Sequence, residues 1–205
     1  LVRLLSPGLR RTARRSLAIA YGEALAENEK RRIIRACFRN LGRTLFEFMT
    51  WPRMDREGIL ARVDFENLEL MDRALARGRG VIAVTGHIAN WELLAAGFAA
   101  TGRPLAVVVR PLDNPLLDAW VERFRTDKGM AVIPRGAALR GGVRALKAGS
   151  VLAFVMDQNA ARHGVFVPLF GTEAATVRGP AELALKYGAP ISLCHSRREK
   201  KGRHR

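Results

Sequence analysis

Apolar residues fall into two regimes along this chain, one at helical spacing and one in short runs broken by polar turns. In residues 9–50, Ala18, Ala20, Ala24 and Leu25 precede a charged stretch, and Ile33, Ile34, Cys37, Leu41, Leu45 and Phe46 then recur at helical intervals. Phe38, Phe48, Met49 and Trp51 add bulk, so this region reads as helical. From residue 80 strands and helices alternate. Strands are predicted at 81–85, 104–109, 151–156 and 191–194, with shorter extended pieces at 130–133 and 165–170. Helices are predicted at 90–101, ended by Gly102, at 114–126, with Pro115 in the first turn, at 137–148, and at 179–187, closed by Gly188. Gly141 and Gly142 predict a weak or bent helix at 137–148. The run at 151–156 is apolar on both faces, as a strand is when helices cover both sides of its sheet. The pattern predicts an α/β fold with a mostly parallel, helix-covered sheet. It divides into a basic helical region at 1–55 and an α/β domain at 56–205, at a length that suits one well-buried domain.

Charge changes this picture. The formal net charge is +16, and it sits at the ends: residues 1–50 carry 11 Lys+Arg against 4 Asp+Glu, and residues 195–205 carry 6 against 1. Such a surface attracts nucleic acid, anionic lipid or an acidic protein. With 2 Tyr and no aromatic-rich glycine motif for base stacking, nucleic acid is the disfavoured partner. The helical region is then either a pair packed on the main domain or a basic amphipathic platform on a membrane surface, and Arg10, Arg11, Arg14 and Arg15 favour the platform. Cys37 and Cys194 lack metal-ligand spacing and are expected as buried thiols in a reducing compartment. The sequence has no run of eighteen apolar residues and no signal peptide. It begins with Leu and stops in a charged segment, and so reads as a fragment that can have lost an N-terminal anchor.

The candidate chemistry lies at strand ends. Three of them carry polar groups: Gly86 to Glu92, Arg110 to Pro115, and Met156 to Asn159. An α/β sheet gathers such ends on one edge, where ligands bind. His87 is the leading candidate for a general base, because histidine exchanges protons near neutral pH. The alternative is a structural histidine at a helix start. Glu92 either accepts the His87 ring N–H or is an acid favoured by the helix dipole in a first turn. The pairing requires His87 to lie in the loop before the helix, and Asn90 as N-cap favours that placement. Arg110, Arg123, Arg125 and Arg135 suit a phosphate or carboxylate, with plain surface arginine as the other reading of Arg123 and Arg125. Asp157 either orients one of these arginines or caps a turn. The run from Val165 to Gly171 reads as core or as one wall of a groove for a hydrophobic chain. Dinucleotide, P-loop and serine-hydrolase signatures are all absent. No Ser or Cys nucleophile adjoins His87, so the set favours direct transfer of a fatty acyl group from a thioester to a hydroxyl.

In these residues the chain resembles the bacterial lipid A biosynthesis acyltransferases, the lauroyl and myristoyl transferase family. That family is related to glycerolipid acyltransferases marked by a histidine followed, after four residues, by an acid. His87 and Glu92 match that pair. The segment 110–118 with Arg123 and Arg125, the Asp157-Gln158 element, the segment 166–171 with Ala175-Thr176, and the segment 38–43 with Glu47 match further blocks. The resemblance implies a glycerolipid-acyltransferase-like fold with His87 and Glu92 catalytic. It implies substrate contacts from Arg110, Asn114, Arg123, Arg125, Asp157 and Gln158. It further implies no cofactor, acyl carrier protein thioester (or acyl-CoA) as donor, a phosphorylated glycolipid as acceptor, and a place at the cytoplasmic face of the inner membrane. Two departures stand out: the family's N-terminal membrane helix is missing, and members continue past residue 205. Segment 195–205 reads as a hairpin turn, making His195 and His204 loop residues. The rival readings are an acyltransferase for another membrane lipid and a non-enzymatic basic module that binds membrane or nucleic acid.

Overall fold

The computed structural model of the chain describes residues 7–161 and 164–205; residues 1–6 of the expected helical region lie outside them. The chain forms two compact units, one of residues 1–50 and 159–176, the other of residues 51–158 and 177–205.

The second unit is built on a five-stranded sheet of β1 (Val81–Thr85), β2 (Leu105–Val109), β3 (Met130–Pro134), β4 (Val151–Val155) and β7 (Ile191–Leu193), in the order β3-β2-β4-β1-β7 and parallel throughout. Val81, Ile82 and Ala83 are buried in succession, which requires cover on both faces. On one face Ile82, Ala106, Leu152 and Phe154 pack with Leu146 of helix Ala138–Lys147 and Leu183 of helix Gly179–Tyr187. The expected helix forms as Ala138–Lys147 and runs unbroken through Gly141 and Gly142. A Cβ on Gly142 would stand 2.9 Å from Leu152 Cδ2, so the missing side chain lets helix meet sheet.

The other face carries helices Leu68–Leu75, Trp91–Ala100 and Pro115–Asp127. Leu93, Ala96 and Phe98 of the second are buried, and Phe124 of the third stacks on buried Trp51 with ring centroids 6.3 Å apart. Two helices without a sequence-level expectation, Arg56–Leu60 and Leu68–Leu75, precede β1. The segment 195–205 makes the expected turn. Arg197 and Arg205 exchange backbone hydrogen bonds of 2.6 and 2.8 Å, and Arg203 forks onto Asp64 at 2.5 and 3.2 Å. His204 is buried there beside the Ser196 hydroxyl at 3.1 Å, in a structural position.

The first unit holds the helices Pro7–Tyr21 and Glu27–Thr50, the latter with Phe38 buried, and a two-stranded antiparallel ribbon of β5 (Val165–Leu169) and β6 (Thr172–Thr176). Arg14 pairs with Glu27, and the Lys30 ammonium donates to the Gly22 carbonyl at 2.9 Å, fixing the turn between the helices. Every residue of β5 is exposed, so of the two readings of this run, core or a groove wall, core is ruled out. Cys37 is exposed too, because Phe38 takes the inward position, while Cys194 is half-buried. Both were expected buried. Among the described residues, no helix is long and apolar enough to cross a membrane.

Candidate active site

The site forms where β1 and β4, hydrogen-bonded neighbours, end side by side. Thr85 and Val155 are register partners, and the Met156 N–H donates to the Thr85 carbonyl at 2.8 Å. One residue further on, Gly86-His87 faces Asp157. The Asp157 carboxylate takes the His87 backbone N–H on Oδ2 at 2.7 Å and lies 2.6 Å from the ring Nδ1 through Oδ1. An ionised carboxylate only accepts, so Nδ1 is the donor, and in the neutral ring the lone pair falls on Nε2. The imidazole side chain is 34% exposed, so part of the ring faces solvent.

Local backbone explains the fit. A Cβ on Gly86 would come 3.1 Å from Asp157 Oδ2, so glycine is what lets the carboxylate close on the loop. Ala89 takes φ 48°, turning the chain back toward the helix, and buried Asn90 caps that helix by accepting the Leu93 N–H at 3.2 Å. His87 thus lies in the loop before the helix, where the sequence placed it. Trp91 packs on its ring, with centroids 4.6 Å apart and planes at 72°.

Of the two readings of Glu92, the structure shows the acid in a helix's first turn and not the hydrogen bond to His87. Glu92 lies in the first turn of helix Trp91–Ala100 and forks onto Arg125 of helix Pro115–Asp127, at 2.5 Å and 3.1 Å. The side chains of both are largely buried, 14% and 17% exposed, so this pair ties the two helices together. Arg125 is therefore occupied by Glu92. The carboxylate beside the His87 ring is that of Asp157 and not that of Glu92. Of the two readings of Asp157, the structure shows it accepting a backbone N–H in the turn at His87 rather than pairing with an arginine.

The other expected site residues separate. Arg110 stands just past β2 on the same edge, exposed and 3.5 Å from Asp113. Asn114 is the N-cap of helix Pro115–Asp127, accepting from the Leu116 and Leu117 N–H groups at 3.0 and 3.2 Å. Arg123 is 83% exposed and lies 3.7 Å from Asp127 on its own helix, the surface arrangement. Gln158 follows Asp157 and is exposed. The missed partners are Asp157 for the ring and Trp91 against it; an acid at the end of a wholly apolar strand was the signal for the first.

Beneath the edge, on the face that carries Ala83, Thr85, Val151 and Ala153, lies an open cavity of about 340 Å³. Leu94, Ala95 and Phe98 line it from one helix and Leu70 and Met71 from another, while Trp91 brings its wall to the His87 ring. This size and mostly apolar lining suit a small-molecule chain, within the roughly 300–1,000 Å³ of ligand sites. Half-buried Cys194 also borders it, and burial pushes its thiol pKa up.

The sequence comparisons agree with this architecture. Residues 2–205 match the family described as bacterial lipid A biosynthesis acyltransferase. The chain is 36% identical over 185 residues to the lipid A biosynthesis palmitoleoyltransferase of Escherichia coli, covering 87% of this chain and 58% of that one. It is 26% identical over 190 residues to the phosphatidylinositol mannoside acyltransferase of Mycolicibacterium smegmatis, covering 89% and 61%. A lipid A biosynthesis acyltransferase of Haemophilus influenzae is 24% identical over 161 residues, covering 77% and 50%. The chain thus spans one half to three fifths of the length of these relatives. On a match running over almost its entire length, the chain belongs to the bacterial lipid A biosynthesis acyltransferase family.

Proposed function

We propose that the chain carries the catalytic machinery of an acyltransferase that moves a fatty acyl group from an acyl carrier protein thioester to a hydroxyl of a lipid A precursor. The observation that carries this reading is the His87–Asp157 pair, set at 2.6 Å, above an apolar cavity whose wall touches the same imidazole.

His87 Nε2 takes the proton of the acceptor hydroxyl as its oxygen attacks the thioester carbonyl. The carbonyl oxygen becomes the oxyanion of a tetrahedral intermediate. Its collapse breaks the carbon–sulfur bond, and the leaving sulfur receives the proton from His87. The products are an ester and a free thiol, and the enzyme returns to its starting protonation state. Asp157 holds the tautomer and stabilises the imidazolium without taking the proton. Glu92 and Arg125 keep the two helices at the edge in place, a positioning role. The cavity holds the acyl chain.

The basic ends suit three acidic partners: carrier protein, phosphorylated glycolipid and the anionic cytoplasmic leaflet of the inner membrane. Arg110, exposed on the catalytic edge, is the best-placed guanidinium for an acceptor phosphate. The likeness to phosphatidylinositol mannoside acyltransferases favours a glycosylated phospholipid as the second acceptor class.

The test is transfer of labelled acyl groups from acyl carrier protein to a lipid A precursor, by the full-length protein in detergent and by its His87→Ala variant. The reading predicts product from the parent and a loss of about 10²–10⁴-fold in the folded variant. Equal rates would remove His87 as the base. Absence of product from a folded parent, with CoA thioesters and mannosylated phospholipid tried as well, would favour a membrane-binding module.

A further inference from the structure

The β5–β6 ribbon has apolar side chains and no core to put them in. Phe166 is 66% exposed, Leu169 57% and Phe170 62%. A two-stranded ribbon is marginal in water without a packed face. The turn sharpens the anomaly. Phe170 and Gly171 are the only residues between the strands, and both take positive φ, 50° and 71°. A two-residue hairpin turn of this kind normally begins with Asn, Asp or Gly, and a bulky aromatic in the left-handed region is strained. The chain accepts that strain and presents a ring at the tip.

The neighbourhood indicates what the ring meets. Tyr21, which ends helix Pro7–Tyr21, lies with its ring centroid 6.0 Å from that of Phe170. The same helix carries Arg10, Arg11, Arg14 and Arg15, and residues 1–50 hold 11 Lys+Arg against 4 Asp+Glu. A second copy would bring this positive charge against itself. Pro168 in β5 offers no N–H, which spoils the strand for pairing with another chain. Aromatic and aliphatic side chains beside a cluster of arginines instead complement an anionic bilayer interface.

We infer that the tip of the β5–β6 ribbon, Phe166, Leu169 and Phe170 with Tyr21, is a wedge that inserts into the surface of an anionic lipid bilayer, while Arg10, Arg11 and Arg15 of helix Pro7–Tyr21 contact lipid phosphates. The wedge requires no step of acyl transfer, so the two readings fail separately.

The experiment uses the full chain, its Phe166→Ser/Phe170→Ser variant and its Phe170→Trp variant. The probes are vesicles of phosphatidylethanolamine with phosphatidylglycerol, and vesicles of phosphatidylcholine alone. The parent sediments with the anionic vesicles, and the double-serine variant binds them about tenfold more weakly, with unchanged far-ultraviolet circular dichroism. The fluorescence difference between Phe170→Trp and the parent shifts to the blue on anionic vesicles and is quenched by lipids brominated on their acyl chains. Equal binding by parent and double-serine variant, or no binding by either, overturns the wedge. So does an unshifted difference signal from protein that sediments with vesicles. Self-association without vesicles that the double-serine variant abolishes assigns the ribbon to a second copy instead.

Discussion

The candidate active-site edge and the β5–β6 ribbon have opposite physical characters. At the edge, polar groups are met by designated partners: Asp157 holds His87 twice, Glu92 holds Arg125 twice, and Asn90 caps its helix. In the ribbon apolar groups stand exposed, with the tip ring on a strained backbone position. On the proposed mechanism, the group this edge leaves for chemistry is the lone pair of His87 Nε2. The ribbon is incomplete without something apolar beside it. The contrast teaches where proposals can start: a partnered imidazole with its ring partly exposed in the first case, an exposed aromatic tip in the second.

The largest expected effect is at the edge, where His87→Ala removes the base at a cost of about 10²–10⁴-fold in acyl transfer and little in stability. Asp157→Asn comes next. It keeps the shape of the side chain but can donate to the ring, favouring the wrong tautomer, and the expected loss is about 10²-fold with the melting temperature held. Glu92→Gln sharpens the comparison between the acids. It strands the largely buried Arg125, so it acts first on stability, by about 2–4 kcal/mol, read as a fall in melting temperature. If Glu92→Gln instead abolished transfer at unchanged stability, the division of roles between the two carboxylates would be wrong. The ribbon gives the next effect, the roughly tenfold loss of vesicle binding in Phe166→Ser/Phe170→Ser. The smallest contrast is between the cysteines. Burial pushes the Cys194 thiol up and Cys37 is exposed, so an alkylating reagent at neutral pH modifies Cys37 first, as peptide mapping would show.

Sequence pattern carried the strands and helices of the sheet region well, because each has a buried face that fixes its period. Val81–Thr85 and Gly179–Tyr187 fall where their apolar runs and closing glycine put them. The stretch between residues 55 and 80 was not legible, since helices of five and eight residues are too short to display a period. β6 was missed because Thr172–Thr176 has no strong strand formers beyond its two threonines, and only its pairing with β5 makes it a strand. The apolar β5 run allowed core as well as a groove wall, because hydropathy alone does not tell burial from exposure.

The site shows the same limit. His87 was legible from a glycine, an apolar strand and a capping asparagine, all local. Its partner was not, because Asp157 reaches it only through the order of strands in the sheet. β4 lies beside β1 although β2 and β3 intervene in the chain. A nearby acid, Glu92, was the natural choice by sequence distance, and the fold turns it toward Arg125 instead. Arg123 and Arg125, two residues apart on one helix, likewise part company. One faces solvent and the other lies buried against Glu92.

The most direct test of the account is the rate of acyl transfer in a mutant cycle of His87→Ala, Asp157→Asn and the double variant, each confirmed folded. A pair acting as one unit predicts that Asp157→Asn alone loses about 10²-fold, and that adding it to His87→Ala costs nothing further. A parent-like rate for Asp157→Asn, or a double variant slower than His87→Ala by the full effect of Asp157→Asn, would contradict the claim that Asp157 works through His87.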